Sequence, residues 1–123
     1  MHKLLVAFSV ILALVGTASA DMTSANAVMP GCRAVLSNSE ASQVTPGEAW
    51  DEGYCAGIIA GLVDDAEFSE RVFKKALFCA PEGVTRGQAM RVVVNYIDKH
   101  AEQMHRRFVF LAIMALRQAW PCE

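Results

Sequence analysis

The chain has no Asn-Gly or Asp-Gly dipeptide between alternating apolar stretches, so the clearest signal for a β-hairpin is missing. It has no run of Lys or Arg and carries a formal charge of −2. That balance argues against nucleic acid and against anionic membrane surfaces as partners, and leaves a basic protein surface open. No G-x-S-x-G, H-E-x-x-H or phosphate-binding glycine loop occurs, so no enzyme activity is expected. No two cysteines stand at the close C-x-x-C spacing that structural zinc favours. His100 and His105 lie five apart with no further ligands evident nearby, so neither metal nor cofactor is expected.

What is present begins with a leader. Lys3 supplies a positive start, Leu4 to Val15 an apolar stretch, and Ala18-Ser19-Ala20 a small-residue cleavage site. The apolar stretch is shorter than the roughly 20 residues that a bilayer span needs. These features predict residues 1–20 as a cleaved signal peptide and 21–123 as one exported helical domain. No cysteine follows the cut, so no lipid anchor is expected. The mature chain carries ten Lys and Arg against thirteen Asp and Glu, a formal charge near −3.

All four cysteines, Cys32, Cys55, Cys79 and Cys122, lie beyond the leader. An even number in a small exported domain reads as two disulfides. A catalytic Cys55 served by His100 or His105 is the competing reading. It would orphan another thiol in an oxidising compartment, so disulfides are expected. A domain this small gains most from covalent staples.

Two helix starts are written plainly. Thr45-Pro46-Gly47-Glu48 is a capping box with proline at the first helical position, and Thr85-Arg86-Gly87-Gln88 is a second box. Four helices are predicted. The first covers roughly Ser24 to Leu36, kinked at Pro30 or starting there. The second runs from Pro46 to about Val63 and ends at Asp64-Asp65, with Glu67 to Phe78 as a further short helix turning Phe68, Val72 and Phe73 inward. A third goes from Arg86 to about His100, burying Met90, Val93, Val94 and Ile97. The fourth spans about Arg107 to Trp120 and stops at Pro121. Ser37 to Thr45 is the most loop-like stretch.

The expected fold is therefore all-α, a small bundle of four to five helices arranged as two helical hairpins and stapled by two disulfides. Antiparallel pairing of the first two helices sets Cys32 and Cys55 at similar heights. Pairing of the last two brings Cys79, before one, to Cys122, after the other. Of three possible pairings, this geometry favours Cys32–Cys55 with Cys79–Cys122.

Several features point outward. Gly53, Gly57 and Gly61 cost helix propensity, about 1 kcal/mol each relative to alanine. Close approach of another helix backbone is the favoured explanation, and a partner surface the alternative. Phe108 to Leu116 is apolar all round, more than a small bundle can cover, which suggests a homodimer face. His100, near a helix end, fits a dipole-favoured cap. Pro81, Glu82 and Gly83 lie between a disulfide cysteine and a helix start. Structural connection to the Thr85 cap is the plain reading, and a preorganised contact tip the sharper one. Asp64, Asp65, Glu67 and Glu70 read as a solvated acidic face, with a basic partner as the alternative.

Four stretches carry a family likeness: G-Y-C-x-G from Gly53, C-x-P-E-G-V-T-x-G-Q from Cys79, V-V-x-Y-I-D-x-H from Val93 and A-L-R-x-A-W-P-C from Ala115. Together they resemble the Rap/Tai immunity proteins over about Asn26 to Cys122. The resemblance implies a periplasmic, mainly helical, often dimeric protein. It implies binding to a cognate peptidoglycan amidase effector of type VI secretion and occlusion of its active site, the amidase supplying the catalytic cysteine and histidine. Candidate contacts are Pro81, Glu82 and Gly83, then Asp64, Asp65 and Glu67. A stress-related periplasmic binding or chaperone module on the same scaffold is the alternative.

Overall fold

A computed structural model describes residues 21–37 and 44–123. Residues 1–20, expected from sequence to be a signal peptide, and residues 38–43, most of the stretch read as loop, lie outside the described residues. Among the described residues four α-helices follow in order: α1 (Ala25–Ser37), α2 (Pro46–Phe73), α3 (Arg86–Asp98) and α4 (Phe108–Ala119), with a 3-10 turn at Ala101–Gln103 before α4. Among the described residues there is no strand, only an isolated antiparallel bridge between Ser24 and Arg107. None of these helices is long and apolar enough to cross a membrane.

The ends of the helices follow the local chemistry. Ser24 Oγ accepts from Ala27 N–H, and the bridge lets α1 and α4 start against each other. Ala25 N–H donates to Arg106 O and Phe108 N–H to Thr23 O, so free donors of both first turns are satisfied by backbone. Pro30 lies inside α1 on an exposed face, so the helix neither begins there nor ends there. At α2 the full capping box forms. Thr45 Oγ1 accepts from Glu48 N–H, and the Glu48 carboxylate accepts from Thr45 N–H at 2.9 Å. The second box is half-formed: Thr85 Oγ1 accepts from Gln88 N–H at 3.1 Å, and Gln88 makes no return bond.

Both disulfides have the expected partners, Cys32–Cys55 and Cys79–Cys122, with Cα atoms 5.3 and 4.9 Å apart. They close spans of 23 and 43 residues. Loop entropy assigns them roughly 3 and 4 kcal/mol. α1 packs chiefly on α2 and α3 on α4, the two hairpins of the bundle. Met29, Cys32 and Cys55, Ile59, Ile97, Phe108, Leu111 and Leu116 meet in the core, all fully buried. Met90, Val93, Val94 and Ile97 are buried as the helical period requires.

Three expectations fail for physical reasons. α2 does not stop at Asp64-Asp65. It runs 28 residues, because the segment after the aspartates holds no Gly or Pro and carries a Glu67–Arg71 pair one turn apart. It ends only at Lys74, whose backbone turns left-handed (φ 54°) and whose N–H donates to Glu70 O. With α2 straight through this region, no separate helix forms from Glu67 to Phe78. Phe68, Val72 and Phe73 are then 57, 55 and 62% exposed instead of inward. Phe68 and Phe73 pack edge to face on each other, and the core position is filled from the next segment by Phe78.

The glycine expectation fails too. A Cβ at Gly53, Gly57 or Gly61 would meet nothing within 4 Å, so among the described residues no helix backbone approaches that stripe. Gly31 on α1 is the glycine where close approach occurs. A Cβ there would lie 2.2 Å from Asp51 O. The core therefore brings α1 onto α2 at Gly31, one residue before the Cys32 staple. The His100 ring, finally, caps no helix carbonyl. It packs on Tyr96 at 4.5 Å between centroids and faces Glu102 at 3.4 Å.

Candidate partner-binding site

The segment between α2 and α3 is held at three points. Phe78 is anchored in the core with 1% of its surface exposed. Beside it, Cys79 is bonded to Cys122, and Cys79 N–H donates to Trp120 O at 2.9 Å, which fastens the segment to the end of α4. On the far side, Thr85 caps α3. Between these anchors the chain makes a tight turn, with Val84 N–H reaching Pro81 O at 3.3 Å. Gly83 sits at φ +86°, a left-handed conformation that an L side chain adopts only with strain. Pro81, Glu82 and Gly83 are exposed at the apex. Sequence alone supplied the proline, the staple and the cap, and the structure adds the turn and the glycine that fixes its sense.

This tip does not stand alone. It forms one wall of a cleft of about 510 Å³ whose other wall is the second half of α2, with Val63, Ala66, Glu67, Glu70 and Arg71. Phe78 and Val84 line it from the tip side. Of its lining, Ala66 and Phe78 are buried and Val63 and Val84 half-buried, while Glu67, Glu70, Arg71 and Glu82 are exposed. One of those carboxylates is already partnered: Glu67 pairs with Arg71 along the helix. Glu70 and Glu82 leave the cleft with an acidic excess.

The six residues singled out from sequence thus separate. Pro81, Glu82, Gly83 and Glu67 line the same cleft. Asp64 does not line it. Its carboxylate lies 3.3 Å from the Arg86 guanidinium, joining α2 to the first turn of α3 and offsetting a cation at the positive end of that helix. Asp65 lies outside the cleft on the exposed face of α2. Arg71, Phe78, Val63 and Ala66 were not legible as one site, because their meeting depends on α2 continuing past Asp65. Cys55, the competing nucleophile in the sequence, is fully buried and bonded to Cys32, and all four cysteines are paired.

A second exposed surface lies at the other end of α2. Trp50 and Tyr54 stack with centroids 6.4 Å apart and flank a shallow apolar groove floored by Gly53 and Gly57. On α4, Val109, Phe110 and Met114 face outward, and the Arg106 guanidinium lies 4.4 Å above the Phe110 ring. These two faces are where the glycine stripe and the apolar run of the sequence surface.

Compared with known proteins, the chain matches no curated protein and no solved structure significantly. The family model of the Rap1a immunity proteins, in contrast, matches residues 24–122. That match spans all four helices, both disulfides and the tip. The chain belongs to the Rap1a immunity protein family.

Proposed function

We propose that this chain is an exported immunity protein that binds and inhibits a cognate peptidoglycan amidase effector delivered by type VI secretion. The carrying observation is the tip from Ala80 to Val84, staple-anchored on one side, helix-capped on the other and set over a cleft. A segment already held in shape loses little conformational entropy when a partner closes on it. Such a tip can enter an active-site groove and exclude substrate without any chemistry of its own. Glu82 at the apex, with Glu70 on the facing wall, favours a basic rim on the amidase. Exposed charges of this kind raise the rate of encounter more than the final affinity. Asp64, paired with Arg86, and Asp65 lie at the margin of this surface and contribute to the same field.

Export to the periplasm, with cleavage after Ala20, completes the proposal. Two disulfides support an oxidising compartment, and the family match starts just beyond the cleavage site. The outward face of α4 is proposed as a homodimer face. Light scattering of dilute protein should give twice the chain mass, and the chain mass alone would remove that part of the proposal.

The test is affinity capture with the mature, oxidised chain as bait in extract of the source cell, read by mass spectrometry. One dominant amidase is expected. Many unrelated unfolded clients would point to a chaperone instead, and an amidase that binds equally well to a Glu82→Lys, Gly83→Ala double variant would overturn the tip as the contact.

A further inference from the structure

The two staples differ in how solvent reaches them. Cys32 and Cys55 are both fully buried between α1 and α2, beside the close approach at Gly31. Cys79 is half-buried, and Cys122 is exposed in a segment, Pro121 to Glu123, that is exposed throughout. A reductant must place a thiolate in line with the disulfide it attacks, so access decides which bond opens. We propose that Cys79–Cys122 is a redox lock on the tip, opened in the folded protein by a dithiol reductant while Cys32–Cys55 stays closed.

The chemistry balances with a dithiol alone. One thiolate of the reductant attacks Sγ of Cys122, the S–S bond breaks, and Cys79 leaves as a thiolate that takes up a proton. The reductant's second thiolate then attacks its own sulfur in the mixed disulfide. Cys122 leaves and is protonated, and the reductant departs as an internal disulfide. Two electrons and two protons have passed to the protein.

Opening the lock removes one of three anchors and spares the fold. Phe78 remains in the core and Thr85 still caps α3, so the bundle keeps its helices. What remains at the Cys79 end is a single backbone bond, Cys79 N–H to Trp120 O, now joining two segments with no covalent tie. Ala80 to Val84 then samples more conformers, and a partner must select one of them. That consequence rests on the tip being the contact surface proposed above. The lock itself is read without any partner, so its failure and the failure of the immunity reading are distinguishable.

The experiment treats the mature oxidised protein with graded dithiothreitol at neutral pH, traps thiols with N-ethylmaleimide and maps the labelled peptides, while circular dichroism follows helix content. The expected order is label on Cys79 and Cys122 before any on Cys32 or Cys55, with helical signal retained. In the singly opened protein the Cys79 amide should exchange at least about tenfold faster than in the oxidised one. A Cys79→Ser, Cys122→Ser double variant should show that faster exchange and ignore the reductant. Label on Cys32 and Cys55 in step with or ahead of the other pair overturns the proposal. So does helix loss on the first opening, or an unchanged Cys79 amide after it. The natural chain supplies every decisive reading, so the test stands even if the variant fails to fold.

Discussion

Gly31→Ala and Gly57→Ala are the same chemical change on two helices, and the structure predicts opposite results. At Gly31 the new Cβ would sit 2.2 Å from Asp51 O, 2.4 Å from Asp51 C and 3.0 Å from Glu52 N. All three are backbone atoms of α2, which cannot swing aside as the end of a side chain can. Ordinary contact starts near 3.4 Å, so α1 and α2 would have to part by about 1.2 Å. The Cys32–Cys55 staple, one residue along from Gly31, resists that separation with Cα atoms 5.3 Å apart. Overpacking of this kind costs about 1–3 kcal/mol and occasionally more, and a rigid site belongs at the upper end. The helix propensity gained, about 1 kcal/mol, offsets part of it. A net loss of about 2 kcal/mol should lower Tm by roughly 8–16 °C in a domain of about 100 residues. At Gly57 nothing lies within 4 Å, so only the propensity gain remains, and Tm should rise by about 4–8 °C. Thermal melts and urea titrations of the oxidised proteins read both. A Gly31→Ala protein as stable as the wild type would refute the α1–α2 geometry. A strongly destabilised Gly57→Ala would place a packed neighbour on the glycine stripe.

Other expectations share these premises. Phe78→Ala removes a ring with 1% of its surface exposed and should cost about 3–5 kcal/mol in urea titrations, whereas Phe68→Ala, over half exposed, should stay within about 0.5 kcal/mol. Glu48, held by the hydroxyl and then the backbone N–H of Thr45, is more acidic than an ordinary glutamate. Thr23 does the same for Asp21, and the Glu102 carboxylate is lowered first by its own backbone N–H and then by Gln103. Each folded pKa is depressed, so its stabilisation is complete above the ordinary carboxylate range and is lost as pH falls through the folded value. The urea midpoint should therefore drop as pH falls below the ordinary carboxylate range, and less so in Thr45→Val; an equal drop in both proteins would dissociate the cap from the acid response. Glu82→Lys should slow association with a captured amidase more than it speeds dissociation, and should flatten the salt dependence; stopped-flow rates unchanged by the charge reversal would exclude Glu82 from the encounter.

How far the sequence could be read is set by whether a feature is local. The caps at Thr45 and Thr85 and the buried rows of α3 were legible because each depends on residues within a turn or two. Disulfide pairing was legible because hairpin geometry placed cysteines at matching heights. The failures concern where a helix ends and what it meets. Asp64-Asp65 resembles a stop, yet aspartates in mid-helix end nothing without a glycine, a proline or a cap, and α2 passes through them. That one misplacement turned Phe68, Val72 and Phe73 inward on paper and hid the cleft that the second half of α2 makes with the tip. For the glycines the cost in propensity was visible, but which of them faces a backbone is a matter of tertiary packing. Gly31, a lone glycine beside a cysteine, carried no pattern to mark it, while the periodic series at 53, 57 and 61 faces outward. In the candidate site, the tip could be read from its proline, staple and cap, whereas Glu70, Arg71 and Phe78 join it only through the fold.

A chain that protects against a cell-wall amidase should spare a host from lysis by that amidase. Each peptidoglycan amidase of the source cell would be directed to the periplasm of a host, with and without this chain directed there as well, and culture lysis followed by optical density. One amidase should lyse the host alone and fail to do so when the chain is present. Protection should weaken when Glu82→Lys and Gly83→Ala are introduced together into an equally abundant, oxidised protein. Lysis at the same rate with and without the chain, for every amidase tested, would contradict it.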